Sequence, residues 1–141
     1  MQNPIHFDAL DHLVLRVVDL PRMERFYTEI LGMQVERRLD DVALVQLRAG
    51  TSLLDLVPVD SPLGRKGGGK PDRDGPNMDH FCWSLEPFEP KELIPYLKAK
   101  GVSVGEIEQR YGAKGFGPSI YIQDPEGNTV ELKGPPERAI P

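Results

Sequence analysis

The chain repeats itself. Leu10-Asp11-His12 opens one apolar run, and Met78-Asp79-His80 opens a second in the other half of the 141 residues. Each run is followed by an amphipathic stretch ending in glycine. Each half then closes on a short strand-like segment carrying an acid, Asp55 in Ser52-Leu53-Leu54-Asp55-Leu56-Val57 and Glu131 in Thr129-Val130-Glu131-Leu132-Lys133. A duplicated unit limits the possible folds more than any single motif, because two copies can place paired side chains symmetrically about one axis. Two histidines and two acids at matched positions point to one shared metal site.

Periodicity within each copy predicts the order β-α-β-β-β. Asp11 to Val17 alternates, with Leu13, Leu15 and Val17 on one face and His12, Val14 and Arg16 on the other. Asp19 and Pro21 begin a helix whose apolar positions are Met23, Phe26, Tyr27, Ile30 and Leu31, stopped by Gly32. Strands are expected at 35–39, 42–48 and 52–57. The second copy runs through a strand at 79–85, a helix within 90–100 that presents Leu93, Ile94, Tyr96 and Leu97 to the core, and strands near 102–106, 118–123 and 128–133. Pro95 is awkward there, calling for a late helix start or a kink. Glycines 112, 115 and 117 are read as a loop, and Asp124-Pro125-Glu126-Gly127 as a turn.

The expected organisation is a single domain over 1–141: module one at 8–57, a linker at 58–77, module two at 78–133 and a tail at 134–141. The linker holds four prolines and five glycines, the composition of an exposed connection or a lid. Its Gly67-Gly68-Gly69 run lacks the Lys-Ser/Thr ending of a phosphate loop.

A net charge of −5 without a basic stripe argues against nucleic acid as a partner. No apolar run approaches the roughly 18 residues of a membrane span, and the polar Met1-Gln2-Asn3-Pro4 lacks the basic and apolar regions of a signal peptide, so a cytoplasmic protein is expected. Cys82 is the only cysteine, read as a small buried residue rather than a nucleophile. His6, outside the repeat, is read as a surface residue.

Side-chain alternation puts His12, Asp55, His80 and Glu131 on the faces turned away from the helices. Alone, any one of them is more often an ordinary hydrogen-bonded or solvated residue; the repetition accounts for all four together. Two imidazoles and two carboxylates suit one divalent ion such as Zn, Ni, Co, Mn or Fe(II). Asp55 is the weakest member, because Leu53 and Val57 share its parity and a carboxylate in apolar surroundings needs a partner. Arg16 and Tyr121 are the candidate substrate-binding residues.

These residues resemble the vicinal oxygen chelate superfamily, which includes glyoxalase I, bleomycin resistance proteins, fosfomycin resistance enzymes and extradiol dioxygenases. The similarity runs over roughly residues 8 to 133, through Leu10-Asp11-His12, Phe26-Tyr27 to Leu31-Gly32-Met33, Asp79-His80 and Ile120-Tyr121 to Glu131-Leu132. The resemblance implies an α+β fold of two tandem βαβββ modules whose curved mixed sheet surrounds one cleft, with helices on the outer face. It matches His12, His80 and Glu131 to metal ligands, places Asp55 where glyoxalases carry a longer Glu, and implies a homodimer acting on a small-molecule substrate. The resulting expectation is a metal-dependent lyase or isomerase of glyoxalase type, stabilising an enediolate, with Glu131 as the catalytic base. An Fe(II) extradiol dioxygenase is the first alternative, weakened because Gly112-Ala113-Lys114 stands where the ring-cleaving pattern has a histidine. A metal-free binding protein of bleomycin-resistance type is the second.

Overall fold

The computed structural model describes residues 1–72 and 74–137. Residue 73 of the expected linker and residues 138–141 of the expected tail lie outside the described residues. The chain forms two compact units, Met1–Lys70 and Pro71–Pro141. Each contains a four-stranded mixed sheet and a helix in the order β-α-β-β-β.

In the first unit the elements are β1 (His12–Val17), α1 (Leu20–Arg25), β2 (Gln34–Leu39), β3 (Leu44–Ala49) and β4 (Ser52–Pro58), with sheet order β1-β4-β3-β2. β1 lies parallel to β4, and the other pairings are antiparallel. The alternation seen in the sequence is the reason: Leu15, Val17, Leu54 and Leu56 are all buried on the helix-facing side together with Met23 and Tyr27. Each such side chain is worth roughly 1.5–3 kcal/mol when fully buried. The Asp19 carboxylate caps α1 by accepting from the Arg22 amide at 3.0 Å, satisfying a donor that the helix cannot pair internally.

The first helix departs from expectation at its end. Residues Phe26–Ile30 form a π-turn, so the Leu31 amide reaches back to the Phe26 carbonyl. Thr28 Oγ1 donates to the Glu24 carbonyl at 2.8 Å. Phe26 and Tyr27 are both buried, and the wider turn places one residue more than a regular helical period would. Gly32, at φ +82°, ends the segment. Val42 belongs to a short 3₁₀ turn over Asp40–Val42 rather than to the following strand.

The second unit comprises β5 (Phe81–Ser84), α2 (Pro90–Ala99), β6 (Glu108–Gly112), β7 (Gly115–Gln123) and β8 (Thr129–Lys133), ordered β5-β8-β7-β6. Here the sequence reading needs correcting in three places. The strand expected at 102–106 is reduced to one isolated bridge from Val104 to Ile122. Its place is taken by β6, whose Glu108-Gln109-Arg110 run is too polar to resemble a strand because it lies at a sheet edge. The glycine-marked loop is a hairpin in which Gly112 pairs with Gly115 across Ala113-Lys114. Tyr96 is 41% exposed, while Leu97 alone in α2 is fully buried.

Pro95 sits inside α2 on its exposed side. The Lys91 carbonyl thus lacks its helical donor where water can replace it. The turn before β8 is closed by buried Asp124, whose carboxylate accepts from the amides of Glu126 and Asn128 and from Asn128 Nδ2. No helix among the described residues is long and apolar enough to cross a membrane.

Candidate metal half-sites

Each unit carries one histidine and one acid in the same register. On β1 and β4 the residue two beyond His12, Val14, is paired with Asp55. On β5 and β8 the residue two beyond His80, Cys82, is paired with Glu131. The third strand also corresponds, Gln46 lying opposite Asp55 and Tyr121 opposite Glu131. Because parallel strands keep equal parity in register, each histidine shares a face with its acid.

The histidines are oriented alike. His12 Nδ1 is 2.7 Å from Asp11 Oδ2, and His80 Nδ1 is 2.5 Å from Asp79 Oδ2. In both cases the preceding aspartate engages one ring nitrogen and leaves Nε2 as the remaining donor atom. A carboxylate holding the far nitrogen of a histidine is the usual support behind a metal-ligating imidazole. The hydrogen bond to Asp11, helped by the charges of Asp55 and Asp11 against some desolvation, raises the His12 pKa above its ordinary value. The start of β1 is fixed by the Leu53 amide on the Asp11 carbonyl and by Ser52 Oγ on the Leu10 carbonyl.

Both acids are buried, Asp55 at 4% and Glu131 at 6% exposure. Asp55 has the partner that its apolar strand requires: Gln46 Nε2 donates to both carboxylate oxygens at 3.1–3.2 Å. Each oxygen keeps a further lone pair. Glu131 Oε1 lies 3.4 Å from His80 Nε2, so in the second unit imidazole and carboxylate already converge. Among the described residues no three His, Cys, Asp or Glu side chains form a ready-made metal cluster; within each unit the donors stand as a pair. Neutral imidazole nitrogen and buried carboxylate oxygen are donors that suit a divalent first-row ion, and the anchored Nδ1 atoms fit that use.

Asp55 lines a cavity in the first unit, and His80 and Glu131 line one in the second. The first, of about 520 Å³, is also lined by Val14, Arg16, Val57 and Leu63. Arg16 is engaged here, donating from Nε to the Gly64 carbonyl and from its terminal nitrogens to the carbonyls of Gly67, Gly68 and Gly69. In the second unit His80 and Glu131 line a cavity of about 320 Å³ with Cys82, Ser84, Tyr111 and Lys133. Tyr121 stands beside His80, ring centroids 5.4 Å apart and edge to face. It also meets Arg110, whose guanidinium lies 4.2 Å from the ring centroid and donates to the Ser119 carbonyl and hydroxyl.

Cys82 is exposed rather than buried as expected. Even so, desolvation by the surrounding protein, reinforced by the charge and hydrogen bonding of Glu131, pushes its thiol up to about 12. It stays protonated at neutral pH and is a poor nucleophile, since the thiolate is the reactive form. His6 is exposed.

Four contributors escaped the sequence reading: the orienting roles of Asp11 and Asp79, the Gln46 clamp, and the Arg110 support under Tyr121. The first two had a signal in the identical Asp-His dipeptides. Gln46 and Arg110 had none, because each acts across a strand pairing that must be known first.

A tandem βαβββ duplication with a histidine and an acid at matched positions in each half defines a class of α+β proteins. The chain belongs to the Glyoxalase/Bleomycin resistance protein/Dioxygenase superfamily, whose family model matches residues 9–132. It is 31% identical over 128 residues to the virulence protein STM3117 of Salmonella typhimurium, covering 89% of this chain and 83% of that one. The crystal structure of STM3117 superposes with a TM-score of 0.76 at 28% identity, over 93% of this chain and 99% of the other. The integron cassette protein VCH_CASS1 from the mobile metagenome of V. cholerae gives a TM-score of 0.73 at 25% identity, over 92% and 97%. Lactoylglutathione lyase GLX1 of Arabidopsis thaliana is 32% identical over 132 residues, which is 88% of this chain but 44% of the plant enzyme. The chain thus spans less than half the length of that relative.

Proposed function

We propose that His12, Asp55, His80 and Glu131 are ligands for a divalent metal ion, and that the protein is a lyase or isomerase of glyoxalase type acting on a small oxygenated substrate. The observation that carries this reading is the matched pair of half-sites, each with its histidine Nδ1 held by the preceding aspartate and its acid buried on the neighbouring strand. The similarity to lactoylglutathione lyases supports it.

A divalent ion held by these donors would supply Lewis-acid chemistry, favouring negative charge that develops on substrate oxygen. The remaining work falls to the chain. Glu131 is the base that takes the proton from the carbon beside the substrate carbonyl and returns it to the neighbouring carbon. Its burial beside His80 keeps the carboxylate away from bulk water. Tyr121, braced by Arg110, forms a wall that positions the His80 imidazole. Proton transfer by such a base contributes about 10²- to 10⁴-fold.

The test is solvent deuterium exchange and isomerisation on a panel of α-hydroxycarbonyls and thiohemiacetals after loading with Zn, Ni, Co, Mn or Fe(II). Exchange that appears with metal and disappears on chelation is expected. An inactive panel with every metal would remove the lyase reading. Oxygen uptake with catechols after anaerobic iron loading would move the assignment to a dioxygenase.

A further inference from the structure

The second unit holds a cation that the metal reading leaves unused. Lys133 is 9% exposed and lines the cavity of about 320 Å³ alongside His80, Cys82, Tyr111 and Glu131. It follows Glu131 by two residues on β8 and therefore shares its face. Two glycines make room for it. A Cβ at Gly112 would come 2.8 Å from Lys133 Cε, and one at Gly117 would come 2.9 Å from Nζ. A side chain at Gly112 would crowd the stem, and one at Gly117 would crowd the ammonium group.

Among the described residues this ammonium has no hydrogen-bond or ion-pair partner. Its positive charge reaches Cys82, where it acts against the upward push on the thiol. A cation lining a cavity in this way favours an anionic partner there, because ionic hydrogen bonds are stronger than neutral ones. The stem passes Gly112, the ammonium lies beside Gly117, and the residue lines the cavity, the arrangement of a long side chain that carries its charge to one place.

We propose that Lys133 anchors an oxyanion group, a carboxylate or phosphoryl, on the small molecule that occupies this cavity. The substrate then carries that group next to the carbon handled at the His80–Glu131 pair. That placement rests on the lyase reading, whereas the anion anchor itself does not. Lys114, at the tip of the β6–β7 hairpin, adds a second positive charge to the cavity lining.

The experiment compares binding of pyruvate and of its neutral counterpart hydroxyacetone by the chelated and the Zn-treated full chain, in the parent and in Lys133→Met, which keeps the length of the stem. The anchor predicts pyruvate binding weakened roughly tenfold or more in Lys133→Met, with hydroxyacetone unchanged. Competition by inorganic phosphate reports whether a phosphoryl group is also accepted. Equal pyruvate affinity in parent and variant, or a parent that binds pyruvate no better than hydroxyacetone, would overturn the proposal. If Lys133→Met does not fold, Lys133→Gln, which removes the charge and keeps a polar head, is judged by the same criterion. Zn uptake is read in the same samples. Failure of the parent to take up Zn, with charge discrimination intact, would count against the metal site and leave the anchor standing.

Discussion

Glu131→Gln is expected to fold like the parent and to lose at least about 100-fold in kcat/KM for metal-dependent proton exchange. Glutamine matches glutamate in shape, so packing around this buried position is kept, but an amide cannot accept the substrate proton. It is also a poorer donor to a divalent ion than a carboxylate. The comparison with Asp55→Asn separates the two acids. Asp55 is already clamped by Gln46, and it is assigned metal binding without proton transfer. Its variant should therefore weaken metal uptake and recover much of its activity at saturating metal, whereas Glu131→Gln should not. Rates measured across a metal titration for both variants decide this. Equal recovery in the two would remove Glu131 from the role of base.

The second large effect concerns the segment gathered by Arg16. A Cβ at Gly64 would lie 1.8 Å from the Pro58 carbonyl oxygen, 2.7 Å from its carbon and 2.9 Å from Val59 Cα. All three are backbone atoms, so the end of β4 or the turn itself must move. The same turn is held by Ser61 Oγ, which donates to the Pro58 carbonyl and accepts from the Gly64 amide. Arg16 Nε is bound to the Gly64 carbonyl. Gly64→Ala is therefore expected to cost roughly 3 kcal/mol, seen as a fall in Tm of about 10 °C. Gly69→Ala, where a Cβ meets nothing within 4 Å, should stay within about 0.5 kcal/mol. Thermal unfolding of the two variants side by side checks this, and indistinguishable midpoints would show that the turn is not constrained as described.

Where strands are half buried, the sequence was a good guide. Leu13, Leu15 and Val17 against His12, Val14 and Arg16 stated the orientation of β1 because one face meets apolar atoms and the other does not. The repeat carried that information into β5, β4 and β8, and with it the correspondence of His12 with His80 and of Asp55 with Glu131. Legibility failed where structure depends on a partner. β6 is an edge strand whose residues need no apolar face, so Glu108-Gln109-Arg110 hid it, and the alternation of Val102 and Val104 drew the strand to the wrong place. The π-turn at Phe26–Ile30 lies outside any regular period.

The same distinction applies to the candidate site. Ligand-type residues announce their chemistry by type, and the paired Asp-His dipeptides stood in plain view. Gln46 and Arg110 act only across strand pairings, and Lys133 looks like any surface lysine until Gly112 and Gly117 are seen to open a channel for it. Arg16 is a substrate-binding candidate by sequence. The structure sets its guanidinium on four glycine carbonyls, a contact that depends on residues from 64 to 69 folding back on β1.

Metal content bears most directly on the central claim. The untagged protein would be analysed by mass spectrometry after reloading and desalting, beside His12→Ala, Glu131→Gln and Asp79→Asn variants shown to be folded. The account predicts near-stoichiometric divalent metal in the parent, its loss in His12→Ala and Glu131→Gln, and an affinity about 10- to 100-fold weaker in Asp79→Asn, where the support behind His80 is altered. A parent that retains none of Zn, Ni, Co, Mn or Fe(II), or variants that bind as well as the parent, would contradict it.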